Sequence, residues 1–313
     1  MNTNNNNTTS SLLDKIKVWP QYLLPHFLLT DLMFYLTRCK LRAWKNTFIR
    51  WFARHYGVDM SLAVKEDLAA YENFNEFFTR PLKPEVRPVC RDNDCIACPV
   101  DGTVSQLGGI SNESLFQAKG HSYSLTRLLA SQTEWVNQFR NGAFATIYLS
   151  PKDYHRIHMP ADGELKQMTY VPGKLFSVSP ATTREIPGLF ARNERVLCLF
   201  ETAFGPMAVI LVGAMIVGGI ETVWHGSVTP PHGKQLAHWY YASPGQDSKP
   251  RQVILKKGDE LGRFNIGSTV ILLFGENKIH WEPTANADSP VVMGKRIAFQ
   301  VDSRARQTVK RGG

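Results

Sequence analysis

Two textures of apolar and polar positions divide the chain. From Trp19 to Phe52 large apolar side chains crowd together, among them Tyr22, Leu23, Leu24, Phe27, Leu28, Leu32 and Tyr35. Further on, Trp44, Phe48, Trp51 and Phe52 fall at i, i+4, i+7 and i+8, which predicts one face of a helix with Arg42, Lys45, Arg50 and Arg54 around the rest. The helical texture runs over residues 12–80 and closes in "YENFNEFFTRPLKPEVRPV", where Pro81, Pro84 and Pro88 break it. From Ile96 the pattern changes to short apolar runs punctuated by Gly and Pro, such as "GTVSQLGGI", "GAFATIYLS", "RVLCLFET" and "STVILLF". Many short strands at that spacing predict an antiparallel β-rich core. The run Met207 to Ile220, interrupted by Gly213, Gly218 and Gly219, reads as one or two core strands. The expected class is therefore α+β: a disordered polar tail over 1–11, N-terminal amphipathic helices over 12–80, and a β-rich domain over 81–313 with a mobile end beyond about Asp302. No internal repeat is found.

Charge sharpens the first texture. The 313 residues carry a net +9, and between Lys15 and Tyr56 eight cations face one acid, Asp31. Large Trp/Phe/Leu faces flanked by Lys and Arg are the composition of a helix lying in a membrane interface. Pro20, Pro25 and Asp31 interrupt the best apolar window, so no span of about 20 apolar residues is available to cross a bilayer. The opening "NTNNNNTTSS" lacks the charged start, apolar run and cleavage site of a signal peptide, so secretion is not expected. No RNA-binding signature accompanies the basic stretch, and nucleic acid is not an expected partner. An amphipathic helix packed on its own domain is the competing reading.

Cys39, Cys90, Cys95, Cys98 and Cys198 are odd in number and scattered. They do not read as a disulfide framework, and a reducing compartment is the simpler expectation. Cys95 and Cys98 form a C-x-x-C with no second pair, which leaves a zinc set incomplete unless a distant residue such as His121 joins; no metal site is expected.

Some polar residues sit oddly in the β-rich part. Gly267 and Ser268 stand at the head of Val270–Phe274, a run that reads as a buried strand. Asp101 lies between Val100 and the Gly102 turn, and His155 and His158 follow a strand ending near Leu149. Taken singly, each has a bland reading as a turn or packing residue. Together, a carboxylate can fix an imidazole tautomer, the imidazole can take a hydroxyl proton, and the hydroxyl can attack a carbonyl. The G-x-S-x-G elbow of hydrolases is absent around Ser268. The carbonyl beside it is that of Gly267, and attack there gives an N→O acyl shift, a main-chain ester and, after elimination and hydrolysis, a pyruvoyl group at a new N-terminus.

Several segments carry a resemblance: "FNEFFTRPL", "PVDGTVSQLG", "AKGHSYSL", "YLSPKDYHRIHMP", "LFARNERV", "GPMAVILVGAMIVGGIETVW" and "FNIGSTVILLF". In order, from about Trp19 to Phe274, the chain resembles the bacterial membrane-associated phosphatidylserine decarboxylases, a pyruvoyl-dependent family. The resemblance implies that Asp101, His158 and Ser268 form a self-cleavage triad and that His155 serves decarboxylation. It implies cleavage between Gly267 and Ser268 into a β chain (1–267) and an α chain (268–313), with the pyruvoyl cofactor derived from Ser268. That carbonyl would form a Schiff base with phosphatidylserine, releasing CO2 and phosphatidylethanolamine, at the cytoplasmic side of an anionic inner membrane. An imidazole near its ordinary pKa of about 6.5 would suit His155. A homodimer is also what the resemblance suggests. The family's usual Leu-Gly-Ser-Thr is here Ile266-Gly267-Ser268-Thr269. The Asn tract, the C-x-x-C and His225 receive no role. A lipid-directed serine hydrolase using Asp101, His158 and Ser268 without chain cleavage is the alternative enzyme, and a noncatalytic membrane-binding module the alternative outside enzymes.

Overall fold

The computed structural model describes residues 12–215, 219–241, 252–265 and 267–301. The expectations for residues 1–11, for the end beyond Asp302, and for Gly218 and Ile266 fall outside these. The fold is α+β, with N-terminal helices ahead of a mostly antiparallel β core.

Helix α1 spans Leu12–Val18, α2 His26–Arg38, α3 Arg42–Tyr56 and α4 Phe74–Phe78. Helix α3 stops at Gly57, whose left-handed backbone (φ 67°) returns its N–H to Ala53 O, a termination glycine permits without a Cβ penalty. The Asn73 side chain caps α4 by accepting from Glu76 N–H. Ile49, Phe52 and Ala53 of α3 pack with Tyr71, Phe74, Phe77 and Phe78 into a small core separate from the main one. Lys45 is buried on the same face, and its ammonium donates to Ala69 O at 2.9 Å and Tyr71 O at 2.6 Å. The face of α3 read from the sequence is thus split. Phe52 belongs to the core, Phe48 lies between Trp44 and Trp51 and against Phe74, and the two tryptophans are exposed.

Helix α2 is turned inside out. It buries His26, Thr30 and Thr37, while Leu28 and Tyr35 are 66% and 73% exposed and Phe27 and Leu32 are also exposed. Ahead of it, Trp19 and Leu23 are 74% and 89% exposed.

The β part is organised on a nine-stranded sheet in the order Ala237–Tyr240, Gly163–Val171, Arg195–Thr202, Gly205–Val212, Ser268–Phe274, Ala143–Leu149, Gly102–Gly109, Pro290–Val291, with Ile254–Leu255 pairing alongside Gly163–Val171. Ser268–Phe274 is central. Every one of its residues is buried, and it pairs antiparallel with Leu149–Ala143 on one side and with Val212–Met207 on the other. That accounts for its unbroken apolar run, which a strand covered on both faces requires. A four-stranded sheet (Gly226–Thr229, Ile220–Thr222, Glu260–Phe264, Arg156–His158) and a three-stranded one (Cys95–Ala97, Arg296–Gln300, Ile279–Trp281) flank it. The run from Met207 is the strand Gly205–Val212, with Ile220 opening a second. Four short helices absent from the sequence reading interrupt the strands: Leu125–Leu128, Thr133–Phe139, Pro180–Glu185 and Leu189–Arg192.

The cysteine reading is corrected in one respect. Cys90 and Cys95 form a disulfide, while Cys39, Cys98 and Cys198 are free. The two half-cystines are five residues apart in a turn leading into the strand Cys95–Ala97, a proximity that cysteine counting does not reveal.

The two faces of α3 should respond differently to truncation. Ile49→Ala, at a fully buried site, should cost about 2–5 kcal/mol. Arg50→Ala, next in sequence but exposed, should stay within about 0.5 kcal/mol, both measured by denaturant unfolding. Equal losses would mean that α3 docks by a different face.

Candidate active site

Sheet register brings two of the four candidate positions, Asp101 and Ser268, to one edge of the core. Ser268 pairs with Leu149, and its neighbour Thr269 with Tyr148. Tyr148 pairs on its other side with Thr103, two residues beyond Asp101. Asp101 and Ser268 therefore lie at the same end of the sheet, two strands or about 10 Å apart laterally. The chain leaving Leu149 turns over Ser150, whose N–H and hydroxyl both donate to Asp153 Oδ2, at 2.7 and 2.6 Å. It re-enters the four-stranded sheet as Arg156–His158, carrying both histidines past that same end.

The Ser268 hydroxyl is fully buried and has no hydrogen-bond partner among the described residues. An unmade hydrogen bond on a buried hydroxyl costs about 1–3 kcal/mol, so an atom in this state calls for an explanation. Gly267, immediately before it, has φ +23°, and a Cβ built there would meet nothing within 4 Å. What glycine supplies is conformation rather than space.

His155 is also fully buried. Its Nδ1 donates to Asp153 O at 2.8 Å, which leaves Nε2 as the lone-pair nitrogen of the neutral ring, and Nε2 has no partner among the described residues. The ring lies 4.1 Å from that of Phe78, and the His155 carbonyl accepts from Phe264 N–H, four residues before Ser268. Burial, reinforced by the nearby Arg80 charge against the Asp153 bond, pushes the imidazole down to about 3. This corrects the expectation of a ring near its ordinary value: His155 is neutral throughout the physiological range.

His158 donates from Nδ1 to Gly258 O at 2.8 Å, and its Nε2 accepts from the Tyr154 hydroxyl at 3.0 Å. Its pKa is lowered, chiefly by burial. Asp101 accepts a two-pronged guanidinium contact from Arg87, Nε to Oδ1 at 3.0 Å and Nη2 to Oδ2 at 2.6 Å, and Oδ1 also accepts from Met293 N–H at 2.8 Å. Among the described residues no hydrogen bond joins Asp101 to His158, or either histidine to Ser268. The structure assembles the four residues at one end of the sheet without linking them into a relay.

Arg80, Arg87 and Tyr154 were missed from sequence. Tyr154 stands beside His155 in "KDYHRIH", and both arginines lie in the segment that closes the helical part. Their proximity to the candidate residues comes from chain crossings that no local pattern encodes. Burial pushes the Tyr154 hydroxyl up to about 12, so it remains a proton donor to His158.

A cavity of about 440 Å³ has Gly267 in its wall beside Phe48, Trp51, Phe52, Phe74 and Tyr148. It is largely apolar and lies between the helical region and the β core, where it could receive a hydrocarbon-bearing ligand.

The model of the family described as "Phosphatidylserine decarboxylase" matches residues 74–299, and one described as "PSD" matches residues 16–57. The chain belongs to the phosphatidylserine decarboxylase family. It is similar to the phosphatidylserine decarboxylase proenzyme of Pseudomonas putida strain F1, 53% identical over 283 residues that cover 90% of this chain and 97% of that protein. It is likewise similar to the proenzyme of Acidovorax ebreus, 52% identical over 287 residues (92% and 98%), and to that of Shewanella baltica OS155, 54% identical over 287 residues (91% and 97%).

The depressed pKa of His155 has a thermodynamic consequence. Unfolded, the ring titrates near 6.5; folded, near 3. Between those values the unfolded chain binds more protons, so stability is fully present above about pH 6.5 and falls as the pH is lowered toward 3. The His155 contribution falls by up to about 1.4 kcal/mol per pH unit. Unfolding free energies from pH 7 to 4, measured in a Ser268→Ala background that keeps the chain whole, should fall less steeply when His155→Gln is added. Parallel slopes would show that His155 is not held neutral.

Proposed function

We propose that this chain is the precursor of a phosphatidylserine decarboxylase that cuts itself between Gly267 and Ser268. The observation that carries the reading is the buried, unpartnered Ser268 hydroxyl behind a positive-φ glycine at the wall of an apolar cavity. Ser268 Oγ attacks the Gly267 carbonyl carbon, its proton passes to an imidazole, and the Ser268 nitrogen leaves as an amine, so that the amide becomes an ester. Elimination then frees residue 267 as a carboxylate, and hydrolysis with loss of ammonia leaves a pyruvoyl group at the start of the chain from 268.

The residues present fit that group: a hydroxyl that pairs with nothing in the folded core, a glycine in a left-handed conformation, and a neutral imidazole with a free nitrogen on the same side of the sheet. Once formed, its carbonyl supplies the electron sink for loss of CO2 from an amine-bearing substrate. His155, fixed through Nδ1, offers Nε2 to hold or move a proton at the reacting carbon. His158 takes the Ser268 proton during cleavage, with Asp101 completing the triad that the sequence suggests. For this, Tyr154 must yield Nε2 of His158. The free Nε2 of His155 favours a second reading, in which His155 is the cleavage base.

Membrane docking is proposed through the inside-out surface. Helix α2 turns Phe27, Leu28, Leu32 and Tyr35 outward, and Trp19 and Leu23 extend that surface. At about 25 cal/mol per Å², such an arrangement is costly in water and favourable at a lipid interface. No described helix is long and apolar enough to cross a membrane. The basic flanks suit an anionic leaflet, where phosphatidylserine would enter the cavity beside α3 and leave as phosphatidylethanolamine. A homodimer is retained from the resemblance alone.

Intact mass should show two chains, 1–267 and 268–313, the second with a blocked N-terminus; an active enzyme of single full-length mass would make the site a serine hydrolase instead. His158→Ala and Asp101→Ala should accumulate uncut precursor, and His155→Ala should cut yet lose most decarboxylation. The reverse pattern for the two histidines would transfer the cleavage role to His155. Leu23→Asp with Leu28→Asp should abolish most sedimentation with phosphatidylglycerol vesicles while self-cleavage persists. Unchanged sedimentation would place the membrane face elsewhere.

A further inference from the structure

Arg80 is a buried cation without an anion. It is 4% exposed, yet among the described residues it forms no ion pair. Its Nη2 donates to Lys152 O at 3.2 Å, and its Nε, fully buried, donates to nothing. The Phe77 ring, 5.5 Å from the guanidinium carbon, offers some compensation. The acids nearby are engaged elsewhere: Asp101 by Arg87 and Met293, Asp153 by Ser150, and Asp59 by Ser61. A buried charge left unpaired is expensive, and burial does lower the Arg80 pKa, though far too little to neutralise an arginine.

Arg80 faces a cavity of about 240 Å³ whose wall holds three cations, Arg80, Arg87 and Lys152, and three carboxylates, Asp59, Asp101 and Asp153, each of the latter already accepting the hydrogen bonds just named. Lys152 is exposed and forms no ion pair among the described residues. This cavity adjoins the apolar one. Tyr56 lines the apolar cavity and Gly57 the polar one; likewise Pro151 lines the first and Lys152 the second. An apolar compartment therefore abuts a smaller charged one in which Arg80 and Lys152 are the two cations without an ion pair among the described residues, and Gly267 stands in the wall of the former.

The geometry points to an oxyanion subsite made by Arg80 and Lys152 that takes the phosphodiester of the phospholipid head group. The assignment rests on the function proposed above for its ligand, but not for the existence of the anion site. The phosphodiester suits it better than the substrate carboxylate. A guanidinium clamped on the carboxylate would stabilise the charge that must disappear as CO2 leaves, and so would oppose the reaction. The phosphodiester keeps its charge from substrate to product. Contacts to it are equal in the ground and transition states, so they lower KM and leave kcat unchanged. Arg80 is then a binding residue with a kinetic signature that separates it from a purely structural one.

The test uses the full chain in detergent. Arg80→Gln should still cut itself, then show KM for micellar phosphatidylserine raised about tenfold, with kcat within about twofold of wild type, as expected for loss of a charge-assisted contact. Lys152→Gln, at an exposed position that does not endanger folding, should raise KM about threefold. Arg80→Lys should recover part of the loss. Unchanged KM in Arg80→Gln overturns the subsite; if that variant fails to fold or to cut itself, unchanged KM in Lys152→Gln overturns it instead. Binding is read independently of activity by thermal unfolding of Ser268→Ala. Glycerophosphoserine should raise its Tm more than equimolar inorganic phosphate does, and adding Arg80→Gln should remove the shift. A shift with inorganic phosphate alone would overturn the head-group assignment, and no shift with either would overturn the anion site. Should wild type neither cut itself nor decarboxylate phosphatidylserine, the proposed function fails while the Arg80-dependent Tm shift still reads the anion site.

Discussion

The molecule is organised around the dehydration of one strand. Ser268–Phe274 is hydrogen-bonded along both edges and buried along its whole length, so its first residue carries a hydroxyl into the interior. The strand can bear that cost because its remaining side chains pack into the main core, each aliphatic one contributing about 1.5–3 kcal/mol by burial. The positive-φ glycine before it and the neutral histidine nearby belong to the same circumstance. Buried polar groups without full pairing are poor for stability and suited to chemistry.

The two cavities and the helices form a graded path away from that strand. Nearest to it lies an apolar compartment walled by aromatic side chains of α3 and α4. Beside this is a smaller charged space lined by Arg80, Arg87 and Lys152 together with Asp59, Asp101 and Asp153. Farther out, α2 inverts the usual rule for a soluble helix by hiding threonines and displaying leucines. Each layer suits one part of an amphiphile, so the N-terminal region and the β core read as one binding device.

Much of this architecture was legible because it rests on local pattern. The unbroken run Val270–Phe274 could only be a doubly covered strand, and Gly-Pro punctuation after Ile96 marked a β-rich core. The facing of α2 and α3 was not legible, since a helix with apolar side chains all round does not say which flank meets protein: Phe52 proved to be core and Leu28 outward. The sequence pointed to four candidate residues but not to the groups that the structure places against them. Asp101 is bound to Arg87 and His158 to Tyr154 and Gly258 O, contacts fixed by how loops cross at the end of the sheet. The Cys90–Cys95 bridge escaped for the same reason: proximity in a turn is a property of the backbone path.

The central strand also determines what kind of object a cut chain becomes. The piece beginning at Ser268 supplies the middle of the nine-stranded sheet and then the strands Ile279–Trp281 and Arg296–Gln300, which pair with each other, the latter also with Cys95–Ala97. Severing the chain before Ser268 would leave that piece interlaced with the rest and held by ladders on both flanks. Before the cut, folding is a first-order process of one tethered polymer. After it, any molecule that opens must find its other half by diffusion, without the high effective concentration that the peptide bond had provided. For a chain cut there, assembly would have to precede scission, and the two-piece molecule would survive by how slowly it came apart rather than by how readily it could re-form.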